Sequence, residues 1–369
     1  MLKYLIWLPV TLLLLLAACA PGGGPGARLP DANAPAASQA QAQQAQVPQA
    51  PQAQAPQTQA QAPQSPGQQA QASQAQVIPT IMARATSSVP LATPLPTLLT
   101  ITAGDGNLRR PSALALDKDG NIYVGDQLGV YQFDPSGKYV KTLVKVGADS
   151  GLRGPSGLAV TPNGDIYIAD NVVSTVFHLT PDGKIADKIT SVDGQPLDQP
   201  VTVTADPQGN IYVVNQNSAE VLKLDPKGKV LTKIGSKGDK TGEFMRPHAL
   251  ALDKDGDIYV TDLSTSLIQK FGADGKYVKT FGDSHSGENA WLLRGVAVGP
   301  DNRLYTIDSV NQRIQMFDLA ELRLIKEFQN PGMSPGQFQD PAALAVDAQG
   351  NLYIADRGNN RIQKLKLTN

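Results

Sequence analysis

Pro341-Ala-Ala-Leu-Ala-Val-Asp-Ala-Gln-Gly-Asn-Leu-Tyr-Ile-Ala-Asp356 decides the fold, because its pattern occurs six times in the chain. The copies begin at Pro111, Pro155, Pro200, Pro247, Leu293 and Pro341, at intervals of 44, 45, 47, 46 and 48 residues. Twelve positions after each start stands Tyr123, Tyr167, Tyr212, Tyr259, Tyr305 or Tyr353. Fifteen after it stands Asp126, Asp170, Asn215, Asp262, Asp308 or Asp356. A period of this length marks a repeat architecture, in which one supersecondary unit buries its apolar face against the next copy of itself.

Within the copy from Pro247, Ala249-Leu250-Ala251-Leu252 alternates small and large side chains, the period of a strand with two unlike faces. A turn follows at residues 253–257. Its glycine position (Gly120, Gly164, Gly209, Gly256, Gly350, with Asn302 as the exception) fits a residue of positive φ. Strands over 258–261, 267–271 and 277–281 complete the unit, with polar turns between them. Four short antiparallel strands per repeat and no helical periodicity predict an all-β, six-bladed propeller. The small residues Ala113, Gly157, Ala249, Gly295 and Ala343 are expected to face one neighbouring blade, while Leu114, Leu158, Leu250, Val296 and Leu344 fill the other. The sixth copy runs out after its third strand, at 361–365. The spare strand at 98–102 is therefore expected to dock as its outer strand and close the ring.

The rest of the chain differs in kind. Residues 1–19 have a short basic start, an apolar run and small residues, the pattern of an export signal. Their end, Leu16-Ala17-Ala18-Cys19, resembles the bacterial lipobox, which implies diacylation of Cys19, the chain's single cysteine, and attachment to a cell membrane or outer membrane outside the cytoplasm. The alternative is an ordinary signal peptide cut near Ala18 or Ala20. Residues 20–96 are Gln, Ala and Pro with few charges, and are expected to be a disordered tether. As a random coil it would span roughly 50 Å. Residues 97–369 form the propeller. Setting aside Lys3, Arg28, Arg84 and Asp31, the repeat region carries 29 basic and 32 acidic residues, so nothing points to nucleic acid. One cysteine excludes a disulfide framework and a cysteine-based zinc site.

Asp308-Ser-Val-Asn-Gln-Arg-Ile-Gln-Met-Phe317 and Asp356-Arg-Gly-Asn-Asn-Arg-Ile-Gln-Lys-Leu365, with Gly-Glu-Phe at 242–244 and Gly-Gln-Phe at 336–338, resemble NHL repeats. The resemblance covers residue 97 to the end and is loosest at repeat three, with Asn215, and at repeat one, two residues short near Gly129. It implies a six-bladed propeller. It does not settle function, since such propellers serve as interaction platforms and, in a few relatives such as peptidyl-amidating lyases, as catalytic domains.

The regularity of the Asp series favours a structural role, with Asp308 pairing to Arg313 and Asp356 to Arg361 across the turn. His248 belongs to a ring of first-strand positions with Ser112, Ser156, Val201, Arg294 and Ala342. One imidazole there falls short of the three or four ligands a metal needs, so neither metal nor cofactor is expected. The loops before the first strands carry Arg109, Arg110, Arg153, Arg246 and Arg294, and the long loop from Gly282 to Leu293 adds His285 and Trp291. With His248 these make the candidate binding face, because exposed Trp beside Arg is the composition of a hot spot. These features lead to the expectation of a monomeric, lipid-anchored, non-catalytic module holding a protein, peptide or glycan in the cell envelope. The alternative is an envelope lyase or lactone hydrolase at the channel mouth near His248.

Overall fold

A computed structural model describes residues 95–282 and 292–367. Among them lie six four-stranded antiparallel sheets, each a blade numbered here from the first repeat, together with two short hairpins. Blade 1 comprises Ala113–Leu116, Ile122–Gly125, Gly129–Phe133 and Tyr139–Lys145. Blade 4, from Pro247–Leu252 to Tyr277–Gly282, repeats that order. The inner strand of each blade lies against that of the next, and Pro341–Val346 of blade 6 returns to Ala113–Leu116, so the ring is closed around a central channel.

The closing strand is where the sequence puts it. Thr97–Ile101 pairs antiparallel with Arg361–Leu365, with Thr100 opposite Gln363 and Ile101 opposite Ile362, and so becomes the fourth strand of blade 6. Leu95, just ahead of it, is buried with Phe338 and Leu365.

The core consists of six clusters among the described residues, each straddling two neighbouring blades. Ala113 packs toward blade 2 with Leu158, and Leu114 packs toward blade 6 with Ala343. Small residues thus receive the large ones of the adjacent wedge, the condition for interior packing density. Gly157 shows how tight this is: a Cβ there would lie 2.7 Å from Thr202 Cα and 2.9 Å from Val203 N. The hairpin position that is Gly in five repeats has φ of 80–88° at Gly120, Gly164, Gly209, Gly256 and Gly350, and the exception, Asn302, holds 57°. Asparagine is among the few residues that tolerate that region.

Hydroxyl groups of three blades tie each to the inner strand of the next. Ser112 donates to Pro155 O (2.7 Å), Thr202 to His248 O (2.7 Å) and Thr261 to Leu293 O (2.8 Å). No helix among the described residues is long and apolar enough to cross a membrane.

Candidate functional site at the channel mouth

The turns after the second strands build one face of the ring. Asp126, Asp170, Asp262, Asp308 and Asp356 are all at most 1% exposed, and each accepts hydrogen bonds from both sides of its blade's mouth. Asp170 takes Arg153 N and Gly154 N on one oxygen and Val172 N and Val173 N on the other. Asp262 does the same with Met245 N, Arg246 N, Ser264 N and Thr265 N. In blades 5 and 6 an arginine joins: Arg313 Nε donates to Asp308 (3.0 Å) and Arg361 Nε to Asp356 (2.7 Å). Each buried carboxylate is thus spent on holding the loop ahead of its inner strand, and those are the loops that carry the arginines.

Arg110 and Arg246 from these loops, with Arg294 from the inner strand of blade 5, converge with His248. A channel cavity of about 660 Å³, within the ordinary range for a small-molecule site, is lined at this mouth by Arg110, Arg246, His248, Arg294 and Arg357. Deeper, it is walled by alanines, valines and leucines of the inner strands, and no acidic residue lines it among the described residues. Arg109 and Arg153 are exposed on the same rim but do not line the cavity. His285, Trp291 and the lipidation position Cys19 lie outside the described residues.

Two partners were not picked out in the sequence. Arg357, directly after Asp356, occupies the place taken in other repeats by Gln127, Asn171, Gln216, Leu263 and Ser309; that position faces the mouth. Its guanidinium grips Asp340, with Nε 2.8 Å from Oδ2 and Nη2 2.8 Å from Oδ1. The same carboxylate reaches Arg110 (3.3 Å) and Arg294 (3.4 Å). Arg246 forms no ion pair among the described residues. Three guanidiniums therefore share one carboxylate, the fourth has none, and the mouth is strongly positive. Arg110 and Asp340, each directly before a proline, also hold positive φ (50° and 49°), an uncommon conformation that accumulates at functional sites.

This field acts on the groups inside it. Burial, followed by the charges of Arg294, Arg246 and Arg357, pushes the pKa of His248 down to about 3, so its imidazole is neutral. Burial and then Arg357 lower that of Arg294, against the opposing pull of Asp340. His248 Nδ1 lies 3.1 Å from Gln216 Nε2, an atom that also donates to Pro247 O at 2.9 Å. A metal-bound histidine normally donates from its second nitrogen to an acceptor; here that nitrogen meets a donor. Nor do three or more His, Cys, Asp or Glu side chains come together for a metal among the described residues. The residues at this mouth suit an anion better than a cation.

The family described as SMP-30/Gluconolactonase/LRE-like region matches residues 195–368, and the NHL repeat matches residues 152–179. The NHL-repeat resemblance read from the sequence is borne out, together with the six-bladed ring. The peptidyl-glycine alpha-amidating monooxygenase A of Xenopus laevis is 33% identical over 132 residues, covering 32% of this chain and 14% of that protein. The probable peptidyl-alpha-hydroxyglycine alpha-amidating lyase pgal-1 of Caenorhabditis elegans is 31% identical over 134 residues, covering 33% of this chain and 37% of that protein. The chain thus spans well under two thirds of the length of the curated relatives it matches. Among solved structures, a virginiamycin B lyase from Staphylococcus aureus aligns with a TM-score of 0.53 at 18% identity, over 70% of this chain and 82% of that one, a likeness of fold.

These matches correct the expectation of a non-catalytic, non-enzymatic binding module: amidating enzymes stand among the relatives by sequence, and they favour the alternative of a lyase over that reading. The physical reason for the error is the distribution of the polar set. Its arginines come from four blades, and a search for clustered metal ligands or a nucleophilic triad passes over it.

Proposed function

We propose that this NHL-type six-bladed propeller is a lyase that takes a carboxylate-bearing substrate at the arginine-lined mouth of its channel. The observation that carries the reading is the meeting of Arg110, Arg246, Arg294 and Arg357 in one cavity that no acidic residue lines among the described residues. The amidating relatives supply the substrate class. A peptide ending in α-hydroxyglycine bears a carboxylate, a hydroxyl and the peptide nitrogen on one carbon. On cleavage the carbon–nitrogen bond breaks, its electron pair goes to nitrogen, and nitrogen takes a proton. The hydroxyl loses its proton as its oxygen becomes the carbonyl of glyoxylate, so peptide amide and glyoxylate form without consuming water. Guanidiniums hold the carboxylate in bidentate fashion and stabilise the negative charge growing on the hydroxyl oxygen, inside a channel whose apolar walls strengthen both interactions.

The test is glyoxylate release from a short peptide ending in α-hydroxyglycine by the full chain. Replacing Arg294 and Arg357 together with alanine lowers kcat/KM by about 100-fold or more. No release by folded protein, or equal release by the double variant, sinks the proposal. The match of residues 195–368 to the gluconolactonase-like family favours lactone hydrolysis as a second reading, and turnover of gluconolactone in place of the peptide supports it.

The same proposal keeps the anchor: Cys19 acylated, residues 20–94 as tether, since Leu95 already belongs to the propeller core, and the propeller facing outward from a cell membrane or outer membrane. Labelled palmitate incorporated by the wild type and not by Cys19→Ser is the expected result; equal labelling refutes it.

A further inference from the structure

We propose that Gln216 is a positioning residue that fixes His248 in the tautomer carrying its proton on Nε2, so that the imidazole offers the mouth a neutral hydrogen-bond donor and not a base. Gln216 follows Asn215 in the turn of blade 3 and is 6% exposed. Its Nε2 donates to Pro247 O at 2.9 Å and stands 3.1 Å from His248 Nδ1. The contact with Pro247 settles which end of the amide is there, since an amide oxygen at that distance would face a carbonyl oxygen with no hydrogen between them. An amide nitrogen has two hydrogens and accepts nothing. One hydrogen goes to Pro247 O and the other to Nδ1, which must present its lone pair. A neutral imidazole whose Nδ1 accepts carries its hydrogen on Nε2.

The lock spans a blade boundary, from the turn of blade 3 to the inner strand of blade 4. With Nδ1 occupied by the wall, Nε2 is the ring nitrogen left for a ligand in the cavity that His248 lines. Burial, and after it the arginines around the ring, keep it from taking a second proton. An Nε2–H among guanidiniums adds a directed donor for an oxyanion without adding charge. The consequence for catalysis rests on the proposed lyase reading: His248 stabilises the growing oxyanion, and the proton leaving the hydroxyl goes elsewhere.

The tautomer can be read without any turnover. In the full chain with 15N-labelled histidine, the long-range nitrogen–proton pattern of the ring reports which nitrogen is protonated. The chain's three histidines are separated by comparing wild type with His248→Gln. The expected wild-type pattern at neutral pH is a protonated Nε2 and an unprotonated Nδ1. Gln216→Leu, checked as folded by its melting curve, yields a mixture of tautomers, and Gln216→Glu, whose carboxylate accepts, moves the proton to Nδ1. A wild-type ring protonated on Nδ1, a wild-type mixture, or a pattern unchanged in both variants overturns the proposal. Failure of the glyoxylate assay with the expected tautomer intact overturns only the lyase reading.

Discussion

Acidification from about pH 8 to about pH 4 destabilises this propeller through His248 alone by about 3 kcal/mol, and His248→Gln removes that loss. In the folded protein, burial and the neighbouring arginines push the pKa down to about 3 from an ordinary 6.5, the value the ring regains on unfolding. Between these values the unfolded chain holds a proton that the folded chain refuses. The neutral ring's contribution is therefore complete above 6.5 and lost progressively as pH falls toward 3. Each pH unit in that window is about 1.4 kcal/mol, so the roughly two and a half units down to pH 4 give about 3. Other carboxylates titrate over the same range, but they are common to both proteins and cancel in the difference. Glutamine suits the site, because its oxygen can accept from the Gln216 amide as Nδ1 does. The assay is urea unfolding across the pH series, wild type minus variant. Parallel curves between about pH 6 and pH 4 would refute the argument that a repelled proton, and not packing, sets the acid limit contributed by this residue.

Gly157→Ala forces a Cβ into the backbone of the adjacent inner strand, 2.7 Å from Thr202 Cα. It costs about 1–3 kcal/mol, read as a lower urea midpoint with an unchanged slope. Asp170→Ala orphans the four backbone N–H groups it now satisfies. The expected loss is about 3 kcal/mol, with activity per folded molecule unchanged. Removing residues 97–104 leaves blade 6 with three strands and lowers the melting temperature well below that of a chain lacking residues 20–90; equal melting temperatures refute closure by that strand. Asp340→Asn removes the carboxylate bonded by three arginines. Stability drops by about 2 kcal/mol, and glyoxylate raises the melting temperature of the variant more than that of the wild type.

The ring was legible because its information is periodic. Alternation within 249–252, the recurring Tyr and Asp, and a spare strand at one end with a missing strand at the other leave little choice of architecture, and even Asn302 in a glycine's place reads correctly. The mouth was legible only in part. Arg110 and Arg246 stand in loops, and Arg294 at the start of an inner strand, that the repeat places on one face. Arg109 and Arg153 stand in the same loops, and whether a side chain turns into the channel or outward is set by local backbone, such as the positive φ at Arg110, that composition does not encode. Asp340 carried no signal at all: it precedes Pro341 as Arg110 precedes Pro111, and its role arises because folding brings it beside Arg357 of its own blade, Arg294 of blade 5 and, through closure, Arg110 of blade 1.

The repeat also explains how a mouth like this can acquire chemistry without endangering the ring. In every blade the buried turn residue does the structural work, accepting backbone N–H groups of the preceding loop. The residue after it and the residues flanking the inner strand's start are then held in place with side chains free to differ. Asp356 is 0% exposed and occupied by Gln339 N, Arg361 and Gln363, whereas its neighbours Arg357 and Asp340 meet at the mouth. Stability and site chemistry therefore fall on adjacent residues with separable effects. Substitution of a turn carboxylate lowers the melting temperature and spares the activity of the molecules that remain folded. Substitution of Gln216 or Arg357, one position later in the chain, alters the tautomer or the field at the mouth with a far smaller effect on melting.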